Sequence, residues 1–551
     1  MTTGSHPLVP YDQGFHWKAH AAYFESRGIE AWTEGDIPHR ATNNYTFARQ
    51  HGLLLIELVQ SLMAEGRCGP VERIQVLELA GGLGDFAARL LLALKDDLGE
   101  AGRALFNRLS YVFTDVSRTS LEQAIRRPAL AGLVASGHVI PAFLDARAPT
   151  SARTLEGEAL ALTPRIVVAN YACCVLPTKV FRKRAEAWLE LHTRETAAPA
   201  ESPSIEEPEA QEGAETDPWW QLVGEHAWLP VRLEETLRGP LHPRLLTQVL
   251  AHSPEAEVAY PYVFVELLDT LLERMPAGGA FLFSDFEDSS YEGRIGSGSR
   301  IPILYGDSLN HPVCFPLFEP LARMRGDDLL VSPGWHGTTR TALWRRGAPL
   351  PSSVREVFAR GFCQGHVGQD RLDFEVAALK LSEAGDYKRA LRFYDRCLAL
   401  DPHALTLYEQ AGATALALGD LDLALRYFSE GAARDSLREH DFGLRMSEVY
   451  CRQGELRRAS ELLETSLQTD EEPMTYLALG QVYLELGEYA RAFRAYTRAL
   501  ELDPHLEEAR QALAALQVAW CEAELGLRAT AERWWEDKVR ALTEATKKEP
   551  S

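Results

Sequence analysis

The residues best suited to chemistry lie between positions 74 and 311. Glu78-Leu79-Ala80-Gly81-Gly82-Leu83-Gly84 closes one apolar run and opens a helical pattern. A glycine-rich turn between a strand and a helix brings bare backbone amides close to a ligand. Asp115 ends a second apolar run, 37 residues beyond Glu78. A carboxylate there is placed to accept from both hydroxyls of a ribose. Asp145 ends a third run, where it can accept from an adenine amino group. Asn170 and Tyr171 end a fourth, and Asp285 ends a fifth. His311 sits in the loop-like stretch Tyr305–Pro312, flanked by Asn310 and Pro312. Asp285 and His311 are the candidate general bases. Tyr171 offers an aromatic face to a cation.

These residues need strands and helices to hold them. The apolar runs at 74–79, 111–115, 138–145, 165–169 and 278–285 read as strands, separated by helical segments such as 85–94. That alternation predicts a doubly wound, mostly parallel α/β sheet. The loop lacks the G-x-G-x-x-G spacing of a dinucleotide site. Alanine at position 80 predicts a backbone that does not need a left-handed conformation there. Cys173 and Cys174 read as small buried residues. His16, Trp17 and His20 share one helical face, but nothing nearby completes a metal ligand set. They read as a lid or a surface helix.

This constellation resembles the class I S-adenosylmethionine-dependent methyltransferases, whose first motif is E/D-x-G-x-G-x-G. Here Ala80 takes the place of the first glycine. Ala169-Asn170-Tyr171-Ala172-Cys173-Cys174-Val175-Leu176-Pro177 is similar to the A-N-E-x-x-D-x-L-P segment of the MidA-like family. That family includes the mitochondrial complex I assembly factor arginine methyltransferases. Gly278-Gly279-Ala280 through Asp285-Phe286 and Tyr45–Arg49 continue the likeness. The resemblance implies S-adenosyl-L-methionine as cofactor. Glu78, Ala80, Gly81, Gly82, Gly84, Asp115, Asp145 and Asn170 would then form its cradle. It also implies that the segment around Trp32–Phe47 folds over the donor, with Arg40 pairing with the donor carboxylate. Tyr171 and Cys174 stand where the family's segment carries acids. A guanidinium substrate needs such carboxylates, so arginine methylation does not carry over.

The C-terminal part is repetitive. Gly385, Gly419, Gly454 and Gly487 recur at spacings of 34, 35 and 33, each followed five residues later by Ala390, Ala424, Ala459 or Ala492. This resembles the tetratricopeptide repeat, in which glycine caps one helix and the small alanine lets the next approach. Four repeats are expected over 370–504 and capping helices over 505–551. Ahead of them, 1–70 reads as an N-terminal helical lid region and 71–350 as the methyltransferase domain. Residues 193–218 hold eight acids, one arginine and four prolines, and read as a disordered acidic insertion.

The 551 residues carry 57 Lys+Arg against 79 Asp+Glu, a net charge of −22. That balance disfavours nucleic acid and anionic membrane surfaces as partners. Eight cysteines without a CxxC pair fit a reducing compartment. No secretory signal is visible at the start of the sequence, and a cytoplasmic protein is expected. Two functions are consistent with this pattern. One is a methyltransferase acting on a protein, peptide or carrier-bound substrate recruited by the repeats. The other is an interaction scaffold with a degenerate catalytic domain. The array also fits self-association into a homo-oligomer.

Overall fold

The computed structural model describes residues 8–33, 45–194, 226–253, 255–287, 303–305, 308–333, 339–363, 365–400, 402, 404–435, 440–468, 471–516 and 533. Arg40, most of the acidic insertion and most of the capping segment lie outside the described residues. The chain forms two compact units, 1–368 and 369–551.

The first unit contains fifteen strands among its described residues. In chain order they are β1 (Leu8–Pro10), β2 (Ile74–Leu79), β3 (Leu109–Asp115), β4 (Val139–Phe143), β5 (Arg153–Thr154), β6 (Ile166–Asn170), β7 (Lys179–Arg184), β8 (Ala187–Arg194), β9 (His226–Val231), β10 (Glu255–Tyr260), β11 (Ala280–Phe286), β12 (Ile303–Tyr305), β13 (Ser308–Asn310), β14 (Asp328–Val331) and β15 (Thr339–Arg345). Eight of them form one sheet in the order β14-β15-β11-β6-β2-β3-β4-β5. The central pairings β11–β6, β6–β2, β2–β3 and β3–β4 are parallel. β15 runs antiparallel to both its neighbours.

Strands buried on both faces need largely apolar runs; IVVAN of β6 supplies one, and IQVLEL of β2 does so apart from Gln75 and the buried Glu78. Leu77, Val112, Val167, Phe281 and Phe283 turn to one face. There they pack on Leu245 and Leu246 of helix Leu241–Val249, on Phe264, Leu268 and Leu271 of helix Tyr262–Arg274, and on Phe318. Val76, Tyr111 and Phe113 turn the other way, as the two-residue period of a strand dictates. The chain runs from β2 to β3 and β4 on one side, then crosses back to β6 on the other. Such a reversal leaves a crevice beyond the carboxyl ends of β2 and β6.

A second sheet was not anticipated. β7 to β10, inserted between β6 and β11 in the chain, pair antiparallel, and β1 adds to β8. The segment expected to be a helical lid therefore begins with a strand, and Thr193 and Arg194 end β8 rather than open a disordered tether. A buried ion cluster joins β7 and β8 of the second sheet to the turn after β1 and to the helix Tyr262–Arg274, whose apolar face packs on the first sheet. Lys179 donates to Asp12 at 2.9 Å and to Glu190 at 2.7 Å, and the Tyr262 hydroxyl donates to Asp12 at 2.9 Å.

The second unit is a helical array. Its described helices pair as Gly365–Glu383 with Tyr387–Leu400, Leu405–Leu418 with Leu421–Arg434, Phe442–Arg452 with Leu456–Leu467, and Pro473–Glu485 with Tyr489–Leu502. Gly385, Gly419, Gly454 and Gly487 each adopt a left-handed φ between 75° and 84° at the turn inside a pair. Ala390, Ala424, Ala459 and Ala492 are all fully buried. Gly480 packs directly on Tyr496: a Cβ there would come within 2.4 Å of its ring. Gly480→Ala should therefore destabilise the array by about 1–3 kcal/mol through overpacking. Urea unfolding followed by circular dichroism checks this; an unchanged midpoint would mean the pair has slack.

Candidate functional site

The loop after β2 is shaped by close contacts. A Cβ on Gly81 would lie 2.0 Å from the Phe113 ring, and one on Gly84 would lie 2.7 Å from Leu130. Gly82 and Gly84 have φ of +52° and +75°. Ala80 also adopts φ +52°, which corrects the expectation drawn from its side chain. The left-handed form costs a non-glycine residue on the order of 1 kcal/mol. It persists because the next amide, Gly81 N, is fixed to Thr114 O at 2.9 Å. Tyr171, which follows β6, is left-handed too, at φ +51°, with its amide held by Ser284 O at 2.8 Å. Two strained turns thus stand at the ends of neighbouring strands, where the strand order reverses.

Glu78 is buried and accepts from the Tyr111 hydroxyl at 3.1 Å. Burial pushes its carboxyl up to about 8, against the Tyr111 bond and with the Asp115 charge adding to the rise. Asp115 ends β3. Its Oδ2 accepts from Gly82 N at 3.1 Å and its Oδ1 from Ser117 N at 2.8 Å. The Val116 amide also donates to it; a carboxylate has about four acceptor positions, so about one remains for a ligand. Burial raises its carboxyl above the usual range, against those backbone amides. Beside it Val116 is 64% exposed, an apolar surface at the lip of the crevice. Asp145 follows β4 and is gripped by Arg147 through 2.8 Å and 3.0 Å bonds. Partial burial raises this carboxyl, but the Arg147 bonds and charge outweigh it and hold it low. Asn170 ends β6, and both polar atoms of its amide are buried without a hydrogen-bond partner.

The three catalytic candidates meet around the loop after β6. Asp285 is 1% exposed. Its carboxylate accepts from Cys173 N at 2.9 Å, Cys174 N at 3.1 Å and Phe286 N at 3.0 Å. Burial pushes it up to about 7, against those bonds. The geometry gives Asp285 the work of holding the loop. Cys173 and Cys174 are buried beneath it, and burial together with Asp285 pushes both thiols well up. The Tyr171 hydroxyl and Thr339 Oγ1 are hydrogen-bonded at 2.9 Å.

His311 is buried, its amide donating to Cys174 O at 2.8 Å and its Nε2 meeting the Tyr11 hydroxyl at 2.8 Å. The helix Phe15–Arg27, expected as a lid or a surface helix, exposes Lys18, Ala19, Ala21, Ala22, Glu25 and Ser26 and buries Trp17, His20 and Tyr23 on its other face. Trp17 stacks on His311 at 5.9 Å, and His20 Nδ1 accepts from Leu309 N at 2.9 Å. The sequence missed this meeting because 300 residues separate Tyr11 from His311.

Burial lowers His311 to about 3 and both His16 and His20 to about 4, with mutual repulsion adding at His311 and His16. Imidazoles unprotonated in the fold but titrating near 6.5 when unfolded cost nothing at pH 7. As pH falls below 6.5 the unfolded chain takes up protons that the fold refuses, so stability drops until about pH 3. Each such histidine contributes about 1.4 kcal/mol per pH unit. His311→Gln should therefore flatten the decline in melting temperature between pH 6.5 and 4 relative to wild type. Parallel declines would show that the imidazole titrates normally.

Among the described residues, no group of three or more His, Cys, Asp or Glu side chains could hold a metal ion, and no helix is long and apolar enough to cross a membrane.

Comparisons with known proteins bear mainly on the second unit. The family model for the tetratricopeptide repeat matches residues 473–506. BBSome complex member BBS4 of Mus musculus is 24% identical over 133 residues, which is 24% of this chain and 25% of that protein. Its Xenopus tropicalis counterpart is 26% identical over 133 residues, 24% of this chain and 26% of that one. This chain thus spans about a quarter of the length of the curated relatives it matches. Among solved structures, a "likely methyl transferase" from Burkholderia thailandensis bound to S-adenosyl-homocysteine aligns with 65% of this chain and 92% of its own, at 16% identity and TM-score 0.39. YrrB, a TPR protein with an unusual peptide-binding site, aligns with 27% of this chain and 76% of its own, at 22% identity and TM-score 0.23. The matched repeat is the last of four helix pairs that share one turn geometry among the described residues.

Proposed function

We propose that the chain is an S-adenosylmethionine-dependent methyltransferase whose repeats recruit a protein or peptide acceptor. The observation that carries this reading is Asn170. Its amide is buried at the switch point with neither polar atom paired. Each unpaired buried group costs about 1–3 kcal/mol, a cost that a ligand at the crevice removes.

The residues around it fit such a donor. Asp115 keeps an acceptor position for a ribose hydroxyl, Val116 gives an apolar surface for the base, and the Asn170 amide can both donate and accept at the amino-acid end. Glu78, Ala80, Gly81, Gly82 and Gly84 shape the cradle. Asp145 accepts from the base while shared with Arg147. Arg40 remains the proposed partner of the donor carboxylate. When bound, the donor supplies an electrophilic methyl group on a sulfonium. Asp285 and His311 position the loop after β6, and Tyr171 walls the acceptor side. Exclusion of water and alignment would supply much of the rate.

Two acids at the end of β11 are already engaged: Asp285 by three amides, and Glu287 by Arg340 at 2.5 Å. This supports a neutral acceptor over a guanidinium. Incubating the full chain with a cell extract and methyl-labelled donor, with Asp115→Ala as control, tests the reading. Label should enter proteins that the chain also captures. Capture without label above the control would leave the scaffold function.

A further inference from the structure

We propose that Trp32 is the outer wall of the donor pocket, a binding residue contributed by the N-terminal segment; this rests on the donor reading above. The indole lies against Gly82. A Cβ built on that glycine would sit 3.4 Å from Trp32 Cζ2, 3.6 Å from Cε2 and 3.7 Å from Cη2. Gly82 is left-handed, and its amide is held by the Asp115 carboxylate. The ring therefore covers the one turn whose backbone and acid both face the crevice.

Its support is rigid. Trp32 packs on Phe24 with ring centroids 5.2 Å apart. Ile29 N donates to Gln123 Oε1 at 2.8 Å, and Ser117 Oγ donates to Phe24 O at 3.3 Å. Both anchors belong to the segment that follows β3, so the indole is tied to the same strand end that carries Asp115. Trp32 is only partly buried, and its outer surface remains available. An aromatic surface beside a ribose-binding acid and an exposed Val116 suits a flat base or a cationic sulfur, through stacking or cation–π attraction.

Titration calorimetry of the full chain with S-adenosylhomocysteine tests this. Trp32→Ala should bind about tenfold or more weakly, and Trp32→Phe should stay within about threefold of wild type. An indole that instead plugs the pocket would make Trp32→Ala bind more tightly. Equal or tighter binding by Trp32→Ala overturns the proposal while leaving the donor reading intact. No binding by wild type removes both. Because Trp32→Ala could misfold, fluorine NMR of the 5-fluorotryptophan-labelled chain gives a second readout. The resonance absent from Trp32→Phe should move when S-adenosylhomocysteine is added, and an unmoved resonance contradicts the wall.

Discussion

Asp285→Ala should destabilise the first unit by about 4 kcal/mol, a large share of the roughly 5–15 kcal/mol that holds a domain together. The reason lies in what the carboxylate holds. Three backbone amides, at Cys173, Cys174 and Phe286, lose their acceptor at once. Each buried donor left unpaired costs about 1–3 kcal/mol. Asp285→Asn keeps one carbonyl oxygen and should cost about half as much. Because the chain has two units, urea should reveal two transitions. The transition of the sheet unit should move and that of the repeats should stay. If neither moves, the loop after β6 is held by something other than Asp285.

Asp115→Ala should weaken S-adenosylhomocysteine binding on the order of a hundredfold. A hydrogen bond to a charged group is worth about 1.5–3 kcal/mol, and about 2.7 kcal/mol is a hundredfold. Two losses combine here. The ribose loses its acceptor, and Gly82 N loses the bond that fixes the loop. Asp115→Asn can still accept from Gly82 N and should fall between wild type and alanine. Affinity unchanged in Asp115→Ala would take the carboxylate out of the site.

Much of the sheet was legible because its strands announce themselves locally. β2, β3, β6 and β11 are apolar runs ending in polar residues, and those ends carry Glu78, Asp115, Asn170 and Asp285. The repeat glycines and alanines were legible for the same reason: each serves one turn or one close helix contact. The second sheet was not. KVFRKR and AWLELHTR mix charge with apolar residues, and β1 is three residues pairing with a strand some 180 positions away. Nothing local marks such pairings. Site residues were legible as types and not as roles. An acid at a strand end is visible in a sequence, but that Asp285 accepts three loop amides depends on how β6 and β11 lie side by side. Ala80 shows the opposite failure. Its side chain argues against a left-handed turn, and the bond from Gly81 N to Thr114 O overrides that preference.

The crevice between the glycine loop and Asn170 is the proposed methyl-donor site. Isothermal titration of the full chain with S-adenosylmethionine and S-adenosylhomocysteine tests it most directly. Saturable one-to-one binding of both is expected, weakened by Asn170→Ala. No detectable heat of binding with a folded, cooperatively melting wild-type chain would contradict it.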